Sequence, residues 1–227
     1  MSAVVALWST SIGKKAVMAV TGIVLVGFVI LHMVGNLKIY LGPEHFDAYA
    51  RGLRELGEPI LAHGQALWTM RLVLLAAVVL HIVAAVQLTQ VSWAARPVSY
   101  TKKEAIAATY AARTMRWGGV IVLLFVVYHL LHFTAGVVDY APDQFQEGTV
   151  YRNVVNGFRV WYVSAFYVVA QAALGLHLYH GVWSMFQTLG VNAQGNGFYR
   201  GLAVVVAVVV LVGNVSIPLA VLADLVH

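Results

Sequence analysis

Four histidines occur one apiece in four long apolar segments of this 227-residue chain. They are His32, His81, His129 and His177. An ionisable side chain within a membrane-spanning segment is costly and usually has a function there. Haem iron with two axial imidazole ligands takes one on each side of the porphyrin plane. Four histidines on four helices could therefore supply the axial ligands of two haems.

The composition indicates which elements carry these histidines. Hydrophobic residues make up 61% of the chain and charged residues 10%, whereas a soluble domain carries about 25% charged residues. The apolar segments reach the length of about 20 helical residues that crosses a bilayer. We therefore predict an all-α membrane protein, with residues 1–227 forming one membrane domain of five transmembrane helices. The predicted helices cover about residues 16–37, 67–91, 117–138, 160–186 and 202–226.

The first four predicted helices carry the histidines, and we expect them to form a haem-binding bundle with the fifth helix at its periphery. Pro218 should kink the fifth helix. Residues 44–56 are typical of a short amphipathic surface helix.

Placing the N-terminus in the cytoplasm puts an excess of Lys and Arg on the cytoplasmic side, as the positive-inside rule favours. The excess of basic over acidic residues in the chain is better explained by positive charges that flank membrane helices than by a nucleic-acid partner.

The chain contains no cysteine, which excludes disulfides, thiolate ligation of iron–sulfur clusters and thioether attachment of haem within it. It also contains no G-x-G-x-x-G fingerprint for a dinucleotide. Any haem must therefore be held by axial ligands and non-covalent contacts.

The depth of each histidine sorts the four into two pairs. The first and third helices run outward in this topology, and His32 and His129 come late in each. The second and fourth helices run inward, and His81 and His177 also come late. At a rise of about 1.5 Å per residue, the first pair lies in the outer half of the membrane and the second in the inner half.

A faint internal repeat agrees with this sorting. The segment FVILH at residues 28–32 resembles FVVYH at residues 125–129, an offset of 97 residues. His81 and His177 are 96 residues apart. The first two helices are therefore matched by the next two as parallel repeats about an axis along the membrane normal.

Glycines near the histidines are compatible with a flat macrocycle, which needs helix surface without side chains. Gly35 follows His32 by three residues, and Gly181 follows His177 by four. The alternative is that each histidine is a buried hydrogen-bonding residue that holds helices together. The presence of one candidate ligand on each of four helices, sorted by depth, favours the ligand hypothesis.

His132 and His180 each lie three residues after a predicted ligand and on the same helix face. Spacing alone does not decide which member of each pair is the ligand. A His-x-x-His pair could also bind another metal, but a di-iron site needs helix carboxylates, and the first four predicted helices have none in their interiors. We interpret His132 and His180 as contacts to haem propionates or quinone, or as packing residues.

Arg113 and Arg116 stand at the start of the third predicted helix. One interpretation is anchoring at the membrane interface. The other is pairing with haem propionates, which suits the bidentate guanidinium group.

Taken together, these residues resemble the di-haem, five-helix cytochrome b subunit of bacterial succinate:quinone oxidoreductases (succinate dehydrogenases and quinol:fumarate reductases). The resemblance extends over nearly the whole chain, and its most specific stretch is HLYHGVWS at residues 177–184. The other matching features are SIGKK at residues 11–15, Thr21-Gly22, His32 with Gly35-Asn36, His81, and residues 125–129.

The resemblance implies that His81 and His177 bind the haem nearer an iron–sulfur subunit and that His32 and His129 bind the distal haem. It implies a multi-pass subunit of the bacterial cytoplasmic membrane that anchors this iron–sulfur subunit and an FAD flavoprotein subunit. Electrons would pass from succinate through two haem b groups to menaquinone, or in reverse from quinol to fumarate. The chain alone would not oxidise succinate.

The quinone site is predicted less directly. Residues 55–59 look like the stretch where some relatives place a proton-handling glutamate, so Glu55 and Glu58 are candidates for that role, and solvated loop carboxylates are the alternative. His132 is a further candidate, as a quinone contact on the third helix. A di-haem cytochrome b of another respiratory complex, such as a hydrogenase or nitrate reductase, is a second hypothesis. A haem-free transporter is a third, although broken helices or midplane carboxylates would be more typical of it.

Overall fold

The computed structural model describes residues 8–95, 110–140, 144–191 and 197–227. These ranges contain α-helices and no β-strand. The α-helices are α1 (Ser11–Asn36), α2 (Pro43–Glu55), α3 (Gln65–Ala94), α4 (Tyr110–His129), α5 (Val150–Arg159), α6 (Trp161–Thr188) and α7 (Gly197–Leu222). A 3-10 turn, Leu37–Leu41, extends α1, and a π-helical turn, Leu130–Thr134, extends α4.

Five of these helices are long and apolar enough to cross a bilayer: α1, α3, α4 with its π turn, α6 and α7. Their outward surfaces carry exposed Val, Leu, Ile and Trp side chains, which lipid can cover. The predicted all-α fold with five transmembrane helices is confirmed. The chain is a multi-pass membrane protein.

Several helix boundaries differ from the prediction: α1 begins at Ser11 rather than 16, α3 covers Gln65–Ala94 rather than 67–91, and α7 begins at Gly197 rather than 202. The third span begins at Tyr110 and ends at Thr134 rather than running from 117 to 138, because the turn closes through a bond from the Val137 amide to the Leu131 carbonyl. The fifth ends at Leu222 rather than 226. There the Leu225 amide donates to the Ala220 carbonyl, with Asp224 left-handed between them, as in a Schellman cap.

A second surface helix, α5, was missed by the sequence prediction, which treated residues 139–159 as a connection. It packs against α2, α6 and α7. Both surface helices therefore lie at one end of the bundle, hereafter the capped end. A core of side chains such as Phe46, Phe158 and Ile217 fills the space between them and the spans.

Asp47 on α2 caps α5 across space, since its carboxylate accepts a hydrogen bond from the Tyr151 amide at 2.9 Å. Asp47→Ala leaves that amide without its acceptor, and loss of such a cap costs about 1 kcal/mol. We expect the apparent Tm in detergent, followed by circular dichroism, to fall by about 2–4 °C. Asp47→Asn keeps an acceptor oxygen and should stay within 1 °C or so of the parent chain; equal losses in both variants would contradict a capping role.

Candidate functional site: two histidine pairs

The structure brings together the same two histidine pairs that the depth argument predicts. The rings of His32 and His129 lie with their centres 5.8 Å apart and nearly perpendicular, at 84°. The rings of His81 and His177 lie 6.4 Å apart at 60°. His32 is exposed and stacks on Phe28, and the other three are partly buried.

The pairs occupy two levels along the bundle. His129 contacts Tyr167, which lies on α6 ten residues before His177. Ten helical residues rise about 15 Å, half of the roughly 30 Å hydrocarbon core of a bilayer. The His32–His129 level is the one nearer the capped end.

Both pairs span the bundle rather than joining adjacent helices. Among the described residues, the closely packed neighbours in the four-helix group are α1 with α3, α1 with α6, and α4 with α6. The histidine pairs instead join α1 with α4 and α3 with α6. Each pair therefore faces across the interior of the bundle, and α7 packs outside it against α6 and α1.

His81 is held by Thr21 of α1. The Thr21 hydroxyl donates its proton to the Val17 carbonyl at 2.7 Å, so towards the His81 Nδ1, 3.1 Å away, it can only accept. The proton of His81 therefore belongs on Nδ1, and its Nε2 keeps the lone pair that a metal requires.

His129 and His132 share one hydroxyl. The Tyr167 Oη lies 3.3 Å from the His129 Nδ1 and 3.0 Å from the His132 Nδ1. His132 is fully buried, its ring stacked on Tyr140. Burial also raises the pKa of Tyr140, whose hydroxyl donates to the Asn153 carbonyl at 2.7 Å. His132 is thus part of a packed hydrogen-bonding cluster at the capped end.

His177 and His180 have no comparable hydrogen-bond partner in the described ranges. The Nδ1 atoms of both are buried and make no hydrogen bond to any described residue. The ring of His180 lies perpendicular to that of Trp183 at 6.4 Å. His180 lies one turn further from the capped end than His177, away from the space between the paired rings.

Glycines make room beside the rings, although not the glycines that spacing suggested. A Cβ at Gly22 would lie 3.7 Å from the His81 ring, and one at Gly119 would lie 3.6 Å from the His177 ring. Gly35 was expected to face a macrocycle, but Tyr49 of α2 lies directly over it. Gly181 faces Met115 instead. The expectation for Gly35 was wrong because α2 folds back onto α1.

The spacing of the rings fits an iron held between them. A metal–imidazole bond is about 2 Å long, and a ring nitrogen lies about 1.1 Å from its ring centre, so trans ligands have centres about 6.2 Å apart. The two observed distances of 5.8 and 6.4 Å bracket this value. Aromatic rings in simple contact also lie about 4.5–7 Å apart. The Thr21 bond, which keeps the His81 Nε2 free, and the glycines facing two of the rings add to the fit.

The two predicted arginines lie in the first turns of α4. The side chain of Arg113 lies outside the described residues. Arg116 is exposed, and its guanidinium stacks over Trp93 of α3 at 5.4 Å from the ring centre. Arg116 precedes Gly119 by one turn, so it lies near the His81–His177 level and towards the end opposite the cap.

The two candidate glutamates lie at the capped end and away from the helix interior. Glu55 ends α2 and is exposed; with Arg51 and His63 it lines an open groove of ≈ 450 Å³. Glu58 accepts from the His63 ring at 3.0 Å, and both side chains are well exposed. His132, the third candidate, is enclosed rather than open to a ligand.

Comparisons of the chain with protein-family models, with curated proteins and with solved structures found no match.

Proposed function

We propose that this chain is the di-haem cytochrome b membrane anchor of a succinate:quinone oxidoreductase. The observation that carries the proposal is the pair of facing histidines at each of two levels, about 15 Å apart along α6. His32 and His129 would hold the distal haem iron, and His81 and His177 the proximal one. Two haem b groups at these positions supply one-electron transfer across the membrane.

The residues of the chain contribute binding, orientation and insulation. Thr21 orients His81, and Tyr167 lies against the Nδ1 of His129. Gly22 and Gly119 leave helix surface open beside the rings, and the apolar spans exclude water around them. Arg116 is a cationic group available for propionates near the end opposite the cap, and so is Arg113 by its sequence position.

The remaining components of the proposal follow from the resemblance. An iron–sulfur subunit and an FAD flavoprotein subunit would dock on the cytoplasmic face, at the end opposite the cap, and menaquinone would be the membrane substrate. Moving a charge across the membrane changes its energy by about 2.3 kcal/mol per 100 mV. Two haems at different depths would therefore let the membrane potential act on electron transfer in the bacterial cytoplasmic membrane.

The test uses an affinity-tagged chain purified with its complex from its own membranes. We expect pyridine haemochromogen quantitation to give two b-type haems per chain. We expect succinate alone to reduce them in a difference spectrum, with malonate blocking that reduction. Haem that responds to hydrogen or to a quinol with nitrate, and not to succinate, would instead assign the chain to another respiratory complex. Well-folded protein without haem would refute the proposal.

A further inference from the structure

Among the described residues, the Tyr167 hydroxyl is the group that lies between a proposed ligand, His129, and the buried His132. The hydroxyl oxygen is 3.3 Å from the first Nδ1 and 3.0 Å from the second. Phe125, Phe158 and Phe133 surround its ring, at centre distances of 4.9 to 5.5 Å. These phenyl rings offer no acceptor. Within the part of the chain that the structure describes, the Tyr167 proton therefore has two acceptors within reach, and both are imidazole nitrogens.

Counting protons leaves two arrangements. In one, the His129 Nδ1 donates to the Tyr167 oxygen, and the Tyr167 hydroxyl donates to the His132 Nδ1. In the other, every bond is reversed, and the His129 proton then sits on Nε2. Only the first arrangement leaves the His129 Nε2 with the lone pair that iron requires.

Packing holds the His132 ring against Tyr167, and in the first arrangement its proton lies on Nε2, a buried atom with no hydrogen-bond partner among the described residues. Its side chain is fully buried, and a Cβ at Gly157 of α5 would lie only 2.8 Å from its Cε1. Rings of Phe133 and Tyr140 lie 4.1 and 4.9 Å from it. The nearby Tyr128 hydroxyl is committed to Asp139 at 2.5 Å and does not compete for the His132 Nδ1.

We propose that Tyr167 and His132 are positioning residues for the distal haem: the His132 Nδ1 accepts the hydrogen bond of the Tyr167 hydroxyl, so that His129 donates from its Nδ1 and presents Nε2 to iron. The inference rests on the proposed function and assigns a role that the resemblance does not supply. At the proximal level the same histidine tautomer is reached differently. The Thr21 hydroxyl donates to the Val17 carbonyl, which cannot donate in return, so the His81 Nδ1 must be the donor to Thr21.

The experiment compares three variants in the purified complex: His132→Leu, Tyr167→Phe and the double variant. In His132→Leu the Tyr167 proton has only the His129 Nδ1 left to bond, which favours the wrong tautomer. We expect the distal haem to transfer to excess apomyoglobin roughly tenfold faster, the effect of unpairing one buried donor. In the double variant the phenyl ring cannot donate, so the transfer rate should return to within about twofold of the Tyr167→Phe value.

Tyr167→Phe supplies a second readout. Without an acceptor for its Nδ1 proton, His129 becomes a less basic ligand. The oxidised-to-reduced ratio of the distal haem at fixed potential should fall several-fold. A tenfold change in this ratio corresponds to a shift of about 59 mV in the midpoint potential. Thr21→Val should shift only the proximal haem in the same direction.

The proximal haem serves as the folding control in every variant. Equal haem loss from His132→Leu and from the double variant would overturn the inference, because packing alone would then explain the loss. Unchanged retention in His132→Leu would overturn it as well. Both results leave the proposed function standing, whereas a parent chain without haem would remove the proposed function itself.

Discussion

Replacing His177 with alanine should remove one of the two proposed b-type haems and leave the other low-spin. The His81 ring faces His177 across the bundle at 6.4 Å, and no other described imidazole is paired with it. A haem held by His81 alone would be five-coordinate and weakly retained. Pyridine haemochromogen quantitation should therefore fall from about two haems per chain to about one.

The complementary variant identifies which haem is lost. His129→Ala removes the partner of His32, so the signal of the haem proposed between these two histidines should disappear from the redox titration. His45→Ala is the matched control, because His45 is an exposed histidine on α2 and should keep both components. Loss of both haems from either single variant would contradict two independent pairs, and so would loss of neither.

The histidine pairs could be anticipated because they depend on quantities that a sequence contains. Apolar length marks the spans, and position within a span gives depth. The direction of each span follows from its order in the chain. These are one-dimensional properties, and together they placed His32 opposite His129 and His81 opposite His177.

The residues that support the rings could not be anticipated in the same way. Which side chain of α1 meets His81 depends on the rotation of α1 about its axis, and spacing along α3 does not contain that angle. Thr21 and Gly119 were therefore not assigned to the site, while Gly35 was assigned wrongly. Tyr167 gave no signal in an apolar segment rich in tyrosine.

The missed helix α5 has a related cause. Its residues 150–159 are polar on one side and short, and such a segment has marginal helical stability alone. The Asp47 bond to the Tyr151 amide and packing on α2 and α6 stabilise it. The buried face of α5 includes Gly157, which lies against His132, so the missed helix completes the cluster around Tyr167.

Filling the space at Gly119 should remove the same haem as His177→Ala without touching a ligand. A Cβ there would already lie 3.6 Å from the His177 Cε1, so alanine fits, whereas the longer leucine side chain extends further towards the His177 ring. Overpacking of this kind costs about 1–3 kcal/mol, roughly a five- to 150-fold loss of affinity. Occupancy of the His81–His177 haem in Gly119→Leu should fall accordingly, measured by redox-resolved difference spectra.

Gly118→Leu is the matched control, since it makes the same change one position away, where a Cβ meets nothing within 4 Å. Leucine also stabilises a helix by up to about 1 kcal/mol relative to glycine, so neither variant should lose haem through unfolding of α4. Equal haem content in the two variants would show that the Gly119 face does not border a cofactor. Selective loss of this haem in Gly119→Leu would place the edge of the macrocycle against α4, although the two histidines that hold it, His81 and His177, lie on α3 and α6.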